Sequence, residues 1–263
     1  MPIPWAVSKT LVAALLLILG AAPVKAAEPL SVAVAANFHG TLEELAARYE
    51  AEHGQRLRLS ANSSGALYTQ IRRGAPFVLF FSADAERPER LVAEGLALAD
   101  SRFTYAHGVP VLWSARVGVV DAEAEVLREG DFRHLALAEP RNAPYGAVAR
   151  QVLEALGLWE ELAGERRLTR AGSIGQAYSQ VASGAAPLGF VALSQVRRED
   201  GTIPGSHWFP PAELHEPVRQ EAVILSRAEA DPRTLEAARA FMAWLRGDEA
   251  RAVIAAAGYT VEE

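Results

Sequence analysis

The feature that most constrains this chain is a repeated exchange between short runs that are apolar on both faces and helical stretches that are apolar on one. LSVAVAANF (30–38) has the near-continuous hydrophobicity of a strand buried on both sides, and GTLEELAARYEAEHG follows with Leu42, Leu45, Ala46 and Tyr49 at helical spacing. QRLRLSANSS and the helix GALYTQIRRG come next, then VLFFSAD and the helix PERLVAEGL. A β-α-β-α-β-α series of this kind predicts a mostly parallel sheet covered by helices.

A second series runs through HLALAEP, the helix YGAVARQVLEALGLW, LTRAGS, the helix IGQAYSQVASG and PLGFVAL. Between the two series, residues 105–115 (YAHGVPVLWSA) read as one long strand-like run that breaks the alternation. After the Pro/Gly-rich stretch IPGSHWFPPAELHEP, VRQEAVILS is another extended run, and the helices PRTLEAARAFMAWLRG and DEARAVIAAAG close the chain. The expected architecture is α/β with two lobes joined by two extended crossovers, the C-terminal helices returning to the first lobe. Its boundaries fall at 27–108 plus 219–263 for lobe I and 109–218 for lobe II. No internal repeat is visible by residue identity.

Residues 1–26 read as a separate object: Lys9 supplies a positive start, TLVAALLLILGAA an apolar centre, and Val24-Lys25-Ala26 small residues at the positions a signal peptidase reads. The apolar run is shorter than the roughly 20 residues of a membrane-spanning helix. Export with cleavage after Ala26 is the expectation, and a bacterial periplasm the natural compartment. Removing Lys9 and Lys25 leaves 24 of the 26 basic residues against 32 acidic ones, a net charge near −8. That balance argues against nucleic acid or an anionic membrane as partners. The chain has no cysteine, so no disulfide, thiol nucleophile or thiolate metal site.

In open α/β sheets, ligands sit beyond the carboxyl ends of the strands, at helix N-termini. Four junctions with small or polar residues fall there: Ala36-Asn37, Ser63-Ser64, Pro144-Tyr145-Gly146 and Ser173-Ile174-Gly175. Asn and Ser are favoured helix caps, worth about 1 kcal/mol each, and capping alone accounts for any one of them. Their number, their spread over two lobes and the absence of Lys or Arg beside them point further, to an anion held by neutral donors.

The signs of catalysis are missing. The six histidines never pair at i, i+2 or i, i+4, no HExxH or calcium-loop pattern occurs, and no GxGxxG or GxxxxGK[ST] loop is present. Gly172-Ser173-Ile174-Gly175 is one residue too short for a nucleophile elbow.

VAVAANF, SANSSGAL, GAPFVLFFSAD, PYGAVARQVLEALGLW and PLGFVALSQV, in that order, resemble the periplasmic molybdate-binding proteins of ABC transporters, the ModA family. The resemblance covers essentially the whole mature chain. It implies a type II periplasmic binding protein fold and a role as a non-enzymatic monomer that delivers molybdate or tungstate to a membrane permease. Molybdenum would enter only as its oxyanion, without direct protein ligands and without a cofactor. Carried over by motif, the ligand-binding residues are Ala36 and Asn37 through backbone or amide donors, Ser63 through hydroxyl and N–H, Tyr145 in PYG, and Ile174 through its N–H. Three positions depart from the family pattern, the first being Asn37, where many members have serine and where the amide still donates. A tyrosine found in one branch after LGxV is Ala192 here, and a common aspartate in GAPxDxFxSAD is Val78, which bears on packing or hinging rather than on ligand contact. The rival readings are a binder of sulfate or another tetrahedral oxyanion, an exported hydrolase using Ser63 or Ser173, and a ferric-ion binder.

Overall fold

The structure is a computed structural model that describes residues 28–130 and 132–262, so the expected signal segment and its cleavage after Ala26 lie outside the described residues. Lobe I opens with β1 (Leu30–Ala35), α1 (His39–His53), β2 (Leu57–Asn62), α2 (Ser64–Arg72), β3 (Leu79–Ser82), α3 (Glu86–Ala93) and β4 (Phe103–Gly108). Lobe II holds β5 (Pro110–Ser114), α4 (Val126–Glu129), β6 (Leu135–Ala138), α5 (Pro144–Ala155), α6 (Trp159–Gly164), β7 (Leu168–Ala171), α7 (Ile174–Ala182), β8 (Leu188–Ala192), α8 (Leu193–Val196) and β9 (Ser206–Trp208). The chain returns to lobe I with β10 (Val218–Ile224), α9 (Pro232–Leu245) and α10 (Asp248–Ala256).

The two sheets have corresponding strand orders, β2-β1-β3-β10-β4 and β7-β6-β8-β5-β9. In each, one strand opposes the other four: β10 runs antiparallel to β3 and β4, and β5 to β8 and β9. That reversed strand is the one arriving from the other lobe. The repeat that residue identity hides is therefore present in the topology.

Residues 105–115 are not one strand. The run divides at Val109 into β4 in one sheet and β5 in the other. An apolar run reports burial but not which sheet it is buried in, and Gly108, with no side chain to place, marks the change. The return crossover enters the lobe I sheet beside it, since Val218, the first residue of β10, pairs with Gly108. The two crossovers thus run side by side, the arrangement of a hinge.

Packing follows the periodicity. Val32, Ala33 and Val34 of β1 are fully buried, contacted on one face by Leu42 and Leu45 of α1 and on the other by Leu67 and Ile71 of α2 through two separate apolar clusters. Burying each large aliphatic side chain contributes about 1.5–3 kcal/mol. Val78 is buried among the first of these clusters, its N–H donating to the Ser31 carbonyl and its own carbonyl accepting from Leu225. It is therefore a packing residue at the far end of β3 from the cleft.

Candidate functional site

The four junctions form two equivalent pairs. Asn37 after β1 corresponds to Tyr145 after β6, and Ser63 after β2 to Ser173-Ile174 after β7. Ala36, Asn37, Ser63, Tyr145 and Ile174 all line one small cavity between the lobes, closed further by Ser64, Ala83 and Pro144. No charged side chain is among its lining residues.

Ser63 is the N-cap of α2, and its Oγ accepts from Ala66 N at 3.4 Å; Ser173 caps α7 in the same way, accepting from Gln176 N at 3.3 Å. The capping account therefore holds for both serines. It does not exclude ligand binding, because a capping oxygen still has its own proton to donate. Asn37 caps nothing: the N-cap of α1 is Phe38, without a side-chain bond. At α5, Ala143 is the cap and Pro144 occupies the first turn, where its missing N–H is no loss.

Some expected donors are already engaged. Ala36 N–H donates to the Asn62 carbonyl at 2.9 Å, and Ser63 N–H to Asn62 Oδ1 at 2.8 Å. The N–H groups of Asn37, Ser64, Tyr145 and Ile174 find no acceptor among the described residues. The last three belong to helix first turns, where no intrahelical acceptor exists and the helix dipole favours negative charge. The Tyr145 hydroxyl is 2% exposed as part of its side chain, and burial, with Tyr259 nearby, raises its pKa well above the ordinary tyrosine value. It stays protonated at neutral pH.

Behind the cavity lies a polar cluster that sequence reasoning missed. Asn37 Nδ2 donates to Gln220 Oε1 at 2.8 Å and to the Tyr259 hydroxyl at 3.1 Å. Tyr259 donates to the Asn37 carbonyl at 2.7 Å, and Ser194 from lobe II reaches the same carbonyl at 3.0 Å. Gln220 alone left a trace in the sequence, as an amide within the apolar run of β10. Ala192, by contrast, is fully buried and its N–H donates to Gln195 Oε1.

The lobes are held together at the cavity rim. Gly65 N–H of lobe I donates to the Asn142 carbonyl of lobe II at 2.9 Å, and Arg87 Nη2 donates to the Arg141 carbonyl at 3.2 Å. Arg87 is paired with Asp84, so its charge is matched before any anion arrives. The cavity holds about 200 Å³ of space between atoms, part of it open to solvent. With Gly65–Asn142 and Arg87–Arg141 bridging its rim, an anion gains entry when one lobe moves outward and parts these bonds.

An enclosed cluster of neutral donors with no titratable group of ordinary pKa can bind an anion but offers no base to a nucleophile. No histidine is hydrogen-bonded to Ser63 or Ser173 among the described residues. Among those residues there is also no group of three His, Asp or Glu placed to hold a metal ion.

Known proteins share this chain's length and fold. Residues 30–260 match the family model described as bacterial extracellular solute-binding protein. The molybdate-binding protein ModA of Azotobacter vinelandii is 46% identical over 236 residues, covering 90% of this chain and 91% of that one. ModA of Rhodobacter capsulatus is 43% identical over 249 residues, 95% of each chain. The solved structure of the Azotobacter vinelandii periplasmic molybdate-binding protein superposes with a TM-score of 0.85 at 48% identity, covering 89% of this chain and 100% of that one. This chain belongs to the bacterial extracellular solute-binding protein family and, within it, to the ModA proteins.

Proposed function

We propose that this protein captures molybdate, or the nearly equal-sized tungstate, in the cleft between its lobes and delivers it to an ABC permease in the inner membrane. It acts as a periplasmic monomer after cleavage at Ala26, with no catalytic step and no cofactor. Lobe I is taken as 27–108 with 219–263 and lobe II as 109–218, the hinge lying where both crossovers pass Gly108. The observation that carries this reading is the convergence of helix N-termini from both lobes on a cavity without a charged side chain, in a chain 46% identical to a molybdate-binding protein.

The proposed shell consists of the Asn37 N–H and amide, the Ser63 hydroxyl, the Tyr145 and Ile174 N–H groups, and Ala36 bounding the site. Bonds to a charged group contribute about 1.5–3 kcal/mol each net of exchange with water, so a handful is on the scale of the roughly −8 kcal/mol of micromolar affinity. The backbone N–H groups among these donors prefer a fully deprotonated dianion, since an N–H cannot accept an O–H. Sulfate is smaller, and donors set for the larger ion do not all reach it.

Thermal unfolding of the mature chain with molybdate, tungstate, sulfate and phosphate tests the reading. Ligand at a hundred times its dissociation constant stabilises by about 2.7 kcal/mol, roughly a 5–10 °C rise for a chain of this size. Molybdate and tungstate should give that rise and sulfate almost none. An equal rise with sulfate would return the protein to the general oxyanion binders.

A further inference from the structure

Three buried polar atoms around the hinge, Asn37 Oδ1, Gln220 Nε2 and the Tyr145 hydroxyl, make no hydrogen bond of good geometry among the described residues. Their side chains are 4%, 0% and 2% exposed. Leaving such groups unpaired is costly, and three in one contiguous cluster is a strong signal. They are also arranged as a set. Asn37 spends its donor, Nδ2, on Gln220 Oε1 and Tyr259, so the unengaged end of its amide is Oδ1. An oxyanion cannot pair with that end, because both are acceptors. Gln220 Nε2 and the Tyr145 hydroxyl crowd the same face of Gly108, where a Cβ would overlap the hydroxyl and lie 2.7 Å from Nε2.

Two linked turns resolve all three, at the cost of the Asn37 Nδ2 bond to Tyr259, whose hydroxyl then donates to Asn37 Oδ1 and leaves the Asn37 carbonyl to Ser194. If the Gln220 amide turns by half a revolution, Nε2 takes the place of Oε1 and faces Asn37, while Oε1 comes to the side on which the Tyr145 hydroxyl lies. If the Asn37 amide turns with it, Oδ1 accepts from Gln220 Nε2 and Nδ2 is freed. The Tyr105 hydroxyl, now donating to Gln220 Oε1 at 3.1 Å, loses nothing, because the Ser82 carbonyl is an equal acceptor at 3.1 Å. We infer that Gln220 is a positioning residue for the anion: by turning its amide it gives Asn37 a donor to accept, which leaves Asn37 Nδ2 facing the cavity.

The inference rests on the molybdate reading, and its test separates the two. Molybdate affinity is measured by calorimetry for the wild-type chain, Asn37→Ala, Gln220→Met and the double variant, with thermal unfolding of each ligand-free protein as a control. Gln220→Met should weaken binding by about tenfold, the lower end of what loss of an orienting partner costs at metal sites. In the Asn37→Ala background the same change should cost less than twofold, since Gln220 acts through Asn37. A tenfold loss that persists without Asn37 would overturn the inference while leaving molybdate binding intact. A wild-type chain that ignores molybdate would sink the ligand assignment itself and this inference with it. If Gln220→Met does not fold, the side-chain amide resonances of the wild-type protein decide. Those of Asn37 and Gln220 should shift together on adding molybdate, and Gln220 signals that stay fixed while those of Asn37 move would contradict the coupled turn.

Discussion

The two lobes have equivalent strand orders and place their helix starts at equivalent points, but they equip those points differently. In lobe I the first junction carries a polar side chain, Asn37, and behind it a hydrogen-bonded group of Gln220, Tyr105 and Tyr259. In lobe II the equivalent junction offers Tyr145, whose hydroxyl leaves the cavity for the hinge, so that its N–H is what remains for a ligand. At the second junctions both lobes use a capping serine, yet only Ser63 lines the cavity; in lobe II its place is taken by Ile174. Side-chain donors are tunable one at a time, whereas backbone donors are fixed by the fold. An adjustable lobe facing a fixed one suits a cleft that must open, admit an ion and close on one size.

The largest expected effect comes from attacking the fixed lobe through its backbone. Ile174 is the first residue of α7, and Ser173 before it is extended at φ −150° and ψ 165°, which a following proline requires. Ile174→Pro should therefore fold while losing one N–H. Molybdate binding should fall by between ten- and a hundredfold, the loss of one charge-assisted bond, and Ile174→Val should change nothing. Calorimetry on both variants checks this; equal losses would mean that the side chain, not the N–H, is the contact.

A smaller effect separates the two serines. Each loses a cap on mutation to alanine, about 1 kcal/mol of stability apiece, read by urea unfolding. Ser63→Ala should also weaken molybdate binding about tenfold, and Ser173→Ala should leave it unchanged. Equal affinities in the two variants would make Ser63 a cap and nothing more.

Much of this was legible in the chain itself. Strands buried on both faces, such as β1 and β6, and amphipathic helices such as α5 and α9 declare themselves by periodicity, and the small polar residues at their junctions mark where a ligand can approach. Short pieces were not legible: β9 has three residues inside a Pro/Gly-rich stretch, and α6 continues directly from the α5 pattern. The division of residues 105–115 between two sheets was also hidden, because hydrophobicity does not name a partner. The polar cluster behind Asn37 was hidden for a different reason. Gln220 and Tyr259 lie 183 and 222 residues from Asn37, and only the return of β10 and the C-terminal helices to lobe I brings them there.

The binding shell proposed for this chain draws its donors from both lobes and includes no charged side chain. Its most direct test is a calorimetric titration of the mature chain with molybdate, repeated in a hundredfold excess of sulfate. The structure predicts one ion per chain, micromolar affinity or tighter, and no loss of affinity in the presence of sulfate. Displacement of molybdate by sulfate at comparable concentration would contradict it.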